Sequence, residues 1–179
     1  LLLALPWVSP GLKTFREQQL KLYQFDRAAQ QGQQFYQSIL TTDAQLGYKQ
    51  RPGAVWNAPG ADPLKAGGSQ VTTDAWGFFN TSFDPSHPYD VVMVGDAFTA
   101  IHWPGMVGQQ TGLRVANLGV PAYCPPQYTL TLERYGLKLH PKVVFYNLFM
   151  NDAAETATFD DWRAQDKDWF TFKGGLWFG

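Results

Sequence analysis

From Tyr89 onward the chain alternates short unbroken apolar runs with stretches of helical length. Val91-Val92-Met93-Val94 is one such run, stopped by Gly95, and it predicts a strand buried on both faces of a parallel sheet. Leu113-Arg114-Val115-Ala116-Asn117-Leu118 predicts a second strand, ending at Gly119. Val143-Val144-Phe145-Tyr146-Asn147-Leu148-Phe149 predicts a third buried strand. Between the first two, Trp103-Pro104 opens a helix where the missing proline N–H costs nothing, and Thr111-Gly112 closes it. Between the second and third, Pro125-Pro126 opens a helix from Gln127 to Tyr135, with Gly136 as its stop. Strand, helix, strand, helix, strand at this spacing predicts right-handed βαβ units. The fold class expected is α/β: a parallel sheet flanked by helices in three layers.

Upstream the pattern weakens. Leu12, Phe15, Leu20 and Tyr23 approximate helical spacing in a Gln-, Lys- and Arg-rich stretch, which predicts a helix over 12–40, interrupted near Gly32. Residues 41–90 carry turn chemistry such as Arg51-Pro52-Gly53, Pro59-Gly60 and Gly67-Gly68, with a β-prone Val71-Thr72-Thr73. The opening Leu1-Leu2-Leu3-Ala4-Leu5-Pro6-Trp7-Val8 is apolar but far shorter than the ~20 residues that span a bilayer. We take it as the stump of a membrane anchor or signal segment. The expected organisation is an apolar stump at 1–11, a helical stalk at 12–45, a loop-rich lead-in at 46–88 and a partial α/β domain at 89–179.

Composition narrows the partners. The 179 residues are 45% hydrophobic and 16% charged, enough for one packed core. A net charge of −1 leaves no basic surface, so nucleic acid is not an expected partner. The single cysteine, Cys124, excludes an intrachain disulfide and leaves the redox compartment open.

In sheets of this kind the ligand site lies outside the carboxyl ends of the strands. Three strand ends here carry Gly95-Asp96-Ala97-Phe98-Thr99, Asn117-Leu118-Gly119-Val120-Pro121 and Asn151-Asp152. Glycine there exposes backbone N–H groups, and asparagine offers a side-chain donor to a developing oxyanion. This trio resembles the blocks of the SGNH (GDSL-like) hydrolase family, membrane-anchored or secreted bacterial type, over about 89–152. The resemblance implies a flavodoxin-like architecture, with oxyanion-hole positions at Gly119 and Asn151. Asp96, Phe149, Met150 and Asp152 would be neighbours in the cleft.

The departures from the family bear on function. Ala97 stands where the resemblance places the nucleophilic serine, and a methyl group has no lone pair with which to attack a carbonyl. Phe149 replaces the glycine of the third block, and with Met150 beside it two bulky side chains are expected to narrow or fill the cleft. No histidine follows the third block, so the family's C-terminal Asp-x-x-His is missing. Asp84-Pro85-Ser86-His87 matches that spacing but precedes the first block, and His87 reads as a turn residue. His102 reads as a helix-start or surface histidine, and His140 as a structural one before Pro141. Cys124 reads as a buried thiol rather than a nucleophile. Asp160, Asp161, Asp166 and Asp168 read as a solvated face, so no metal and no cofactor is expected.

Only 27 residues follow Asp152, too few for the further strands and helices that the resemblance implies. Either the remainder of the domain lies beyond this sequence, or the sheet is truncated, with a bare edge that a partner or the aromatic tail of Trp162, Trp169, Phe170, Phe172, Trp177 and Phe178 would cover. The leading expectation is a catalytically inactive SGNH-like domain. It would serve as a structural or interaction subunit of an extracytoplasmic (periplasmic-side) membrane assembly, tethered through its N-terminal segment. Two alternatives stand beside it. One is an ester hydrolase or acetyltransferase seen in Ser-to-Ala or truncated form; the other is a module that binds carbohydrate in a dead cleft.

Overall fold

The computed structural model describes residues 37–57, 70–100 and 103–174. The apolar stump, most of the expected 12–40 helix, His102, Trp177 and Phe178 lie outside the described residues. Within that stretch, residues 37–39 are helical.

The protein is mixed α/β. Strands β1 (Leu40–Asp43) and β2 (Gly47–Gln50) form one antiparallel hairpin, and β3 (Val55–Asn57) and β4 (Gln70–Thr72) form another. There follow β5 (Val91–Val94), a single helical turn α1 (Ala97–Ala100), and α2 (Trp103–Thr111). Next come β6 (Val115–Asn117), α3 (Pro125–Arg134), β7 (Val143–Tyr146), α4 (Asp152–Arg163) and the short α5 (Trp169–Phe172). The three later strands make one parallel sheet in the order β6-β5-β7. Val91 pairs with both Val115 and Val143, so β5 is the central strand.

Central position explains the sequence of β5. Its four residues are all buried, as a strand covered on both faces requires. Val92 and Val94 join Ala116 and Leu118 in the core beneath α3, while α2 packs on the side of Val115. Pro at the first two positions of α3 and Gly136 beyond its end bound that helix close to where the sequence places them.

The third apolar run behaves differently from expectation. As a strand it ends at Tyr146, and it is not buried: Val143, Phe145 and Tyr146 are 47%, 45% and 38% exposed. The physical reason is positional. β7 is an edge strand with β5 on one side and no described strand on the other.

The hairpin β1–β2 belongs to the same core as the sheet. Ile39, Leu40, Leu46 and Tyr48 are buried against Val120, Tyr123 and Tyr128. The Tyr48 hydroxyl donates to Pro121 O at 2.7 Å, and the Tyr123 hydroxyl donates back to Tyr48 O at 2.6 Å. Gln127 Nε2 donates to Leu46 O at 2.7 Å, which closes the junction. Gly47 has φ +79°, and a Cβ there would run into the Trp169 ring. Trp162 and Trp169 of the aromatic tail are buried near this hairpin, the Trp169 ring packing at a tilt of 47° against Tyr48 with ring centres 5.1 Å apart. They serve the core there.

The opposite edge of the sheet is closed by a side chain. Asn80 Oδ1 accepts from the Asn117 amide at 2.9 Å, and Asn80 Nδ2 donates to the Asn117 carbonyl at 3.0 Å. The amide group thus satisfies both backbone groups of the last residue of β6, as a neighbouring strand would. Asp74, itself buried, orients Asn80 through a 2.7 Å bond from Nδ2 and also accepts from the Trp76 and Phe78 amides.

Candidate functional site

Parallel strands deliver their following loops to one end, so Gly95, Gly119 and the segment after β7 converge there. Two glycines are demanded by packing alone. A Cβ on Gly95 would overlap Thr99 Oγ1, and one on Gly119 would lie 2.5 Å from Ala100 N. The sharp turn from β5 into α1 and its contact with the β6 loop therefore need glycine whatever the chemistry.

Ala97 opens α1 and is half-buried at this strand end. Beside it Asp96 is buried, and its Oδ1 accepts from the Phe98 amide at 2.9 Å, bracing the turn. Burial raises the Asp96 pKa, and the nearby charge of Asp152 raises it further.

Both expected oxyanion donors are engaged within the protein. The Gly119 amide donates to Asn117 Oδ1 at 3.0 Å. Asn151 Nδ2 donates to Glu155 Oε1 at 2.7 Å, and Asn151 is exposed at the start of α4. Asn147, not singled out by the sequence, sends its side chain inward, with Nδ2 donating to Thr99 Oγ1 at 3.1 Å.

Phe149 packs against Phe98 at a tilt of 33°, with ring centres 4.1 Å apart, so two aromatic rings lie beside the Ala97 turn. Met150 does not share in this; it is 89% exposed. Asp152 is buried and doubly held: Oδ1 accepts from the Tyr128 hydroxyl at 2.9 Å and Oδ2 from the Phe149 amide at 2.9 Å.

Glu155 is a site residue that sequence reasoning missed. Its spacing from Asn151 and Asp152, four and three residues along a helix, was the available signal. Burial pushes its pKa up to about 6, and the charges of Asp96 and Asp152 add to the rise. The strand ends thus gather three carboxylates that feel one another, Asp96 next to Ala97 in the chain and Asp152 and Glu155 on α4.

Other candidates sit elsewhere. His87 and His140 precede β5 and β7, at the amino ends of the strands and away from Ala97. His87 is exposed in a local turn, where Nδ1 meets Asp84 Oδ2 at 2.7 Å. Bonds from Ser86, followed by the one from His87, hold Asp84 down at about 2. Cys124 is fully buried with Sγ 3.2 Å from Gln127 Oε1, and burial pushes its thiol up to about 11, which makes it a poor nucleophile. Asp160, Asp161, Asp166 and Asp168 are all exposed, and Asp168 caps α5 by accepting from the Thr171 amide at 3.0 Å. Among the described residues no cluster of His, Cys, Asp and Glu is arranged to hold a metal ion.

A groove of about 1260 Å³ opens between α2 and the loop at 79–84, lined among others by Phe79, Phe83, Met106 and Leu113. Ala97 reaches its rim, with Asn80 and Arg114 as polar lining.

Comparison of the chain with family models, curated proteins and solved structures finds no match.

Proposed function

We propose that this chain is a non-hydrolytic relative of the SGNH hydrolases, serving as a structural or interaction subunit of an extracytoplasmic, membrane-associated assembly. The strand order β6-β5-β7 is compatible with a flavodoxin-like sheet, whose order begins 2-1-3. The observation that carries the loss of hydrolysis is the state of the strand ends. A methyl group stands at the nucleophile position, and the Gly119 and Asn151 donors are tied to Asn117 and Glu155. Three carboxylates nearby oppose the negative charge of a tetrahedral intermediate. The interaction role is supported by the exposed apolar residues of β7 and the segment after it. The apolar Leu1 to Val8 is what points to a membrane; no described helix is long and apolar enough to cross one.

The test restores the missing hydroxyl. Ala97→Ser is expected to turn over a short-chain aryl ester no faster than the buffer, because among the described residues no histidine adjoins the position to act as base. Saturable hydrolysis by the folded variant would overturn the reading and favour an enzyme carrying a Ser-to-Ala replacement.

A further inference from the structure

We infer that the first turn of α4 is a latch worked by one proton: ionisation of Glu155 loosens it from the turn between β5 and α1 and frees Phe149 from Phe98. The inference concerns movement at the strand ends and stands whether or not they hydrolyse an ester, so ester turnover by the Ala97→Ser variant would overturn the reading above and leave the latch untouched.

The segment that leads into α4 is held through carboxylates. The Phe149 amide donates to Asp152 Oδ2 at 2.9 Å, and Asn151 Nδ2 donates to Glu155 Oε1 at 2.7 Å. Asp152 is fixed in turn by the Tyr128 hydroxyl of α3 at 2.9 Å. The Phe149 ring, carried by this segment, meets Phe98 of α1 with centres 4.1 Å apart. Whatever shifts these carboxylates therefore shifts the ring that lies beside Ala97.

Glu155 is the carboxylate whose charge is least provided for. Its Oε2 is buried without a hydrogen-bond partner, whereas both oxygens of Asp152 accept bonds. Around it stand Asp96 from the β5–α1 turn, Asp152 from its own helix, and Tyr128 and Cys124 from α3, none of them a cation. Among the described residues none of the three carboxylates forms an ion pair. Burial, followed by the charges of Asp96 and Asp152, raises Glu155 to about 6 against the lowering bond from Asn151. Below that pH the group keeps its proton and the latch is closed. Above it a third charge is set beside two others, and its relief requires that the side chain reach water. The size of the rise, from an ordinary 4.5, limits the effect: opening becomes at most about 30-fold easier when Glu155 is ionised.

The experiment is hydrogen exchange of the full chain from about pH 4 to about pH 8, each rate divided by its intrinsic value, in water and in low urea. Protection of the Phe149 amide is expected to fall by about 20-fold across that range. It is also expected to be weaker than that of the β5 amides and insensitive to low urea, as local opening exposes little surface, whereas β5 exchanges through global unfolding and follows the denaturant. In Glu155→Gln the Phe149 profile should lose its dependence on pH. A Phe149 amide whose protection is flat across the range overturns the inference. So does one that matches β5 in both protection and urea slope, because the proton would then act on the whole fold and on no latch. A pH dependence that survives in Glu155→Gln overturns it as well. Where that variant fails to fold, the wild-type pH and urea profiles decide alone.

Discussion

Asn80→Ala tests the closure of the β6 edge. The variant strips the Asn117 amide and carbonyl of their 2.9 and 3.0 Å partners and takes a 2.7 Å bond from Asp74. Asn117 and Asp74 are buried, so replacement by water is incomplete. A buried polar group left unmade costs about 1–3 kcal/mol. Asn80 itself is half-buried, which lets some water in and places each loss near the lower end of that range. The sum is about 3 kcal/mol, a large share of the roughly 5–15 kcal/mol that holds a domain together. For a chain of this size that corresponds to a fall of about 6–12 °C in Tm. The assay is urea unfolding, where the midpoint should drop with the slope unchanged. Asn80→Asp keeps an acceptor for the Asn117 amide but loses both donations and sets a carboxylate against Asp74, so it should destabilise at least as much. A change below about 0.5 kcal/mol in the alanine variant would refute the claim that this side chain stands in for a strand.

Two further outcomes follow from the strand ends. Glu155 titrates near 6 in the folded protein against an ordinary value of 4.5. The folded state therefore keeps a proton that the unfolded chain releases, and stability from this group is lost as pH rises from about 4.5 through about 6. Glu155→Gln should be more stable than the parent at about pH 8, with the gap closing by about pH 4; a constant gap across that range of thermal melts would contradict the assignment. Cys124, buried and held near 11, should resist a thiol-reactive disulfide reagent in the native protein and react fully in denaturant. Rapid native labelling would mean that the junction around Gln127 opens freely.

The elements that the sequence disclosed were those whose residue types match a local rule. Val91–Val94 is a run of four apolar residues and is buried throughout; Pro125 and Gly136 bracket α3 through backbone chemistry alone. β7 has the same apolar character as β5 and the opposite environment. Periodicity reports what a segment can bury, whereas the neighbouring strand decides what it does bury. The site shows the same divide. Ala97 was legible because the change is in the residue itself. The engagement of Gly119 by Asn117, and the gathering of Glu155 with Asp96 and Asp152, depend on contacts between separate elements. Asn80 was invisible for a similar reason: an asparagine in a loop reads as turn chemistry until a strand edge 37 residues away lies against it.

The hydroxyl bonds of Tyr48 to Pro121 and of Tyr123 to Tyr48 join positions 73 and 75 residues apart, and the Gln127 bond to Leu46 spans 81. Contacts of such sequence separation demand that a long loop be closed before any of them is rewarded. The β1–β2 hairpin is therefore expected to act as a late clasp, docking after the sheet and α3 exist. Until it docks, the cavity for Tyr48 and Leu46 lies open beside Tyr128, and the half-assembled sheet is at its stickiest. The order of synthesis compounds this, because the clasp emerges before the strands and helix that seat it.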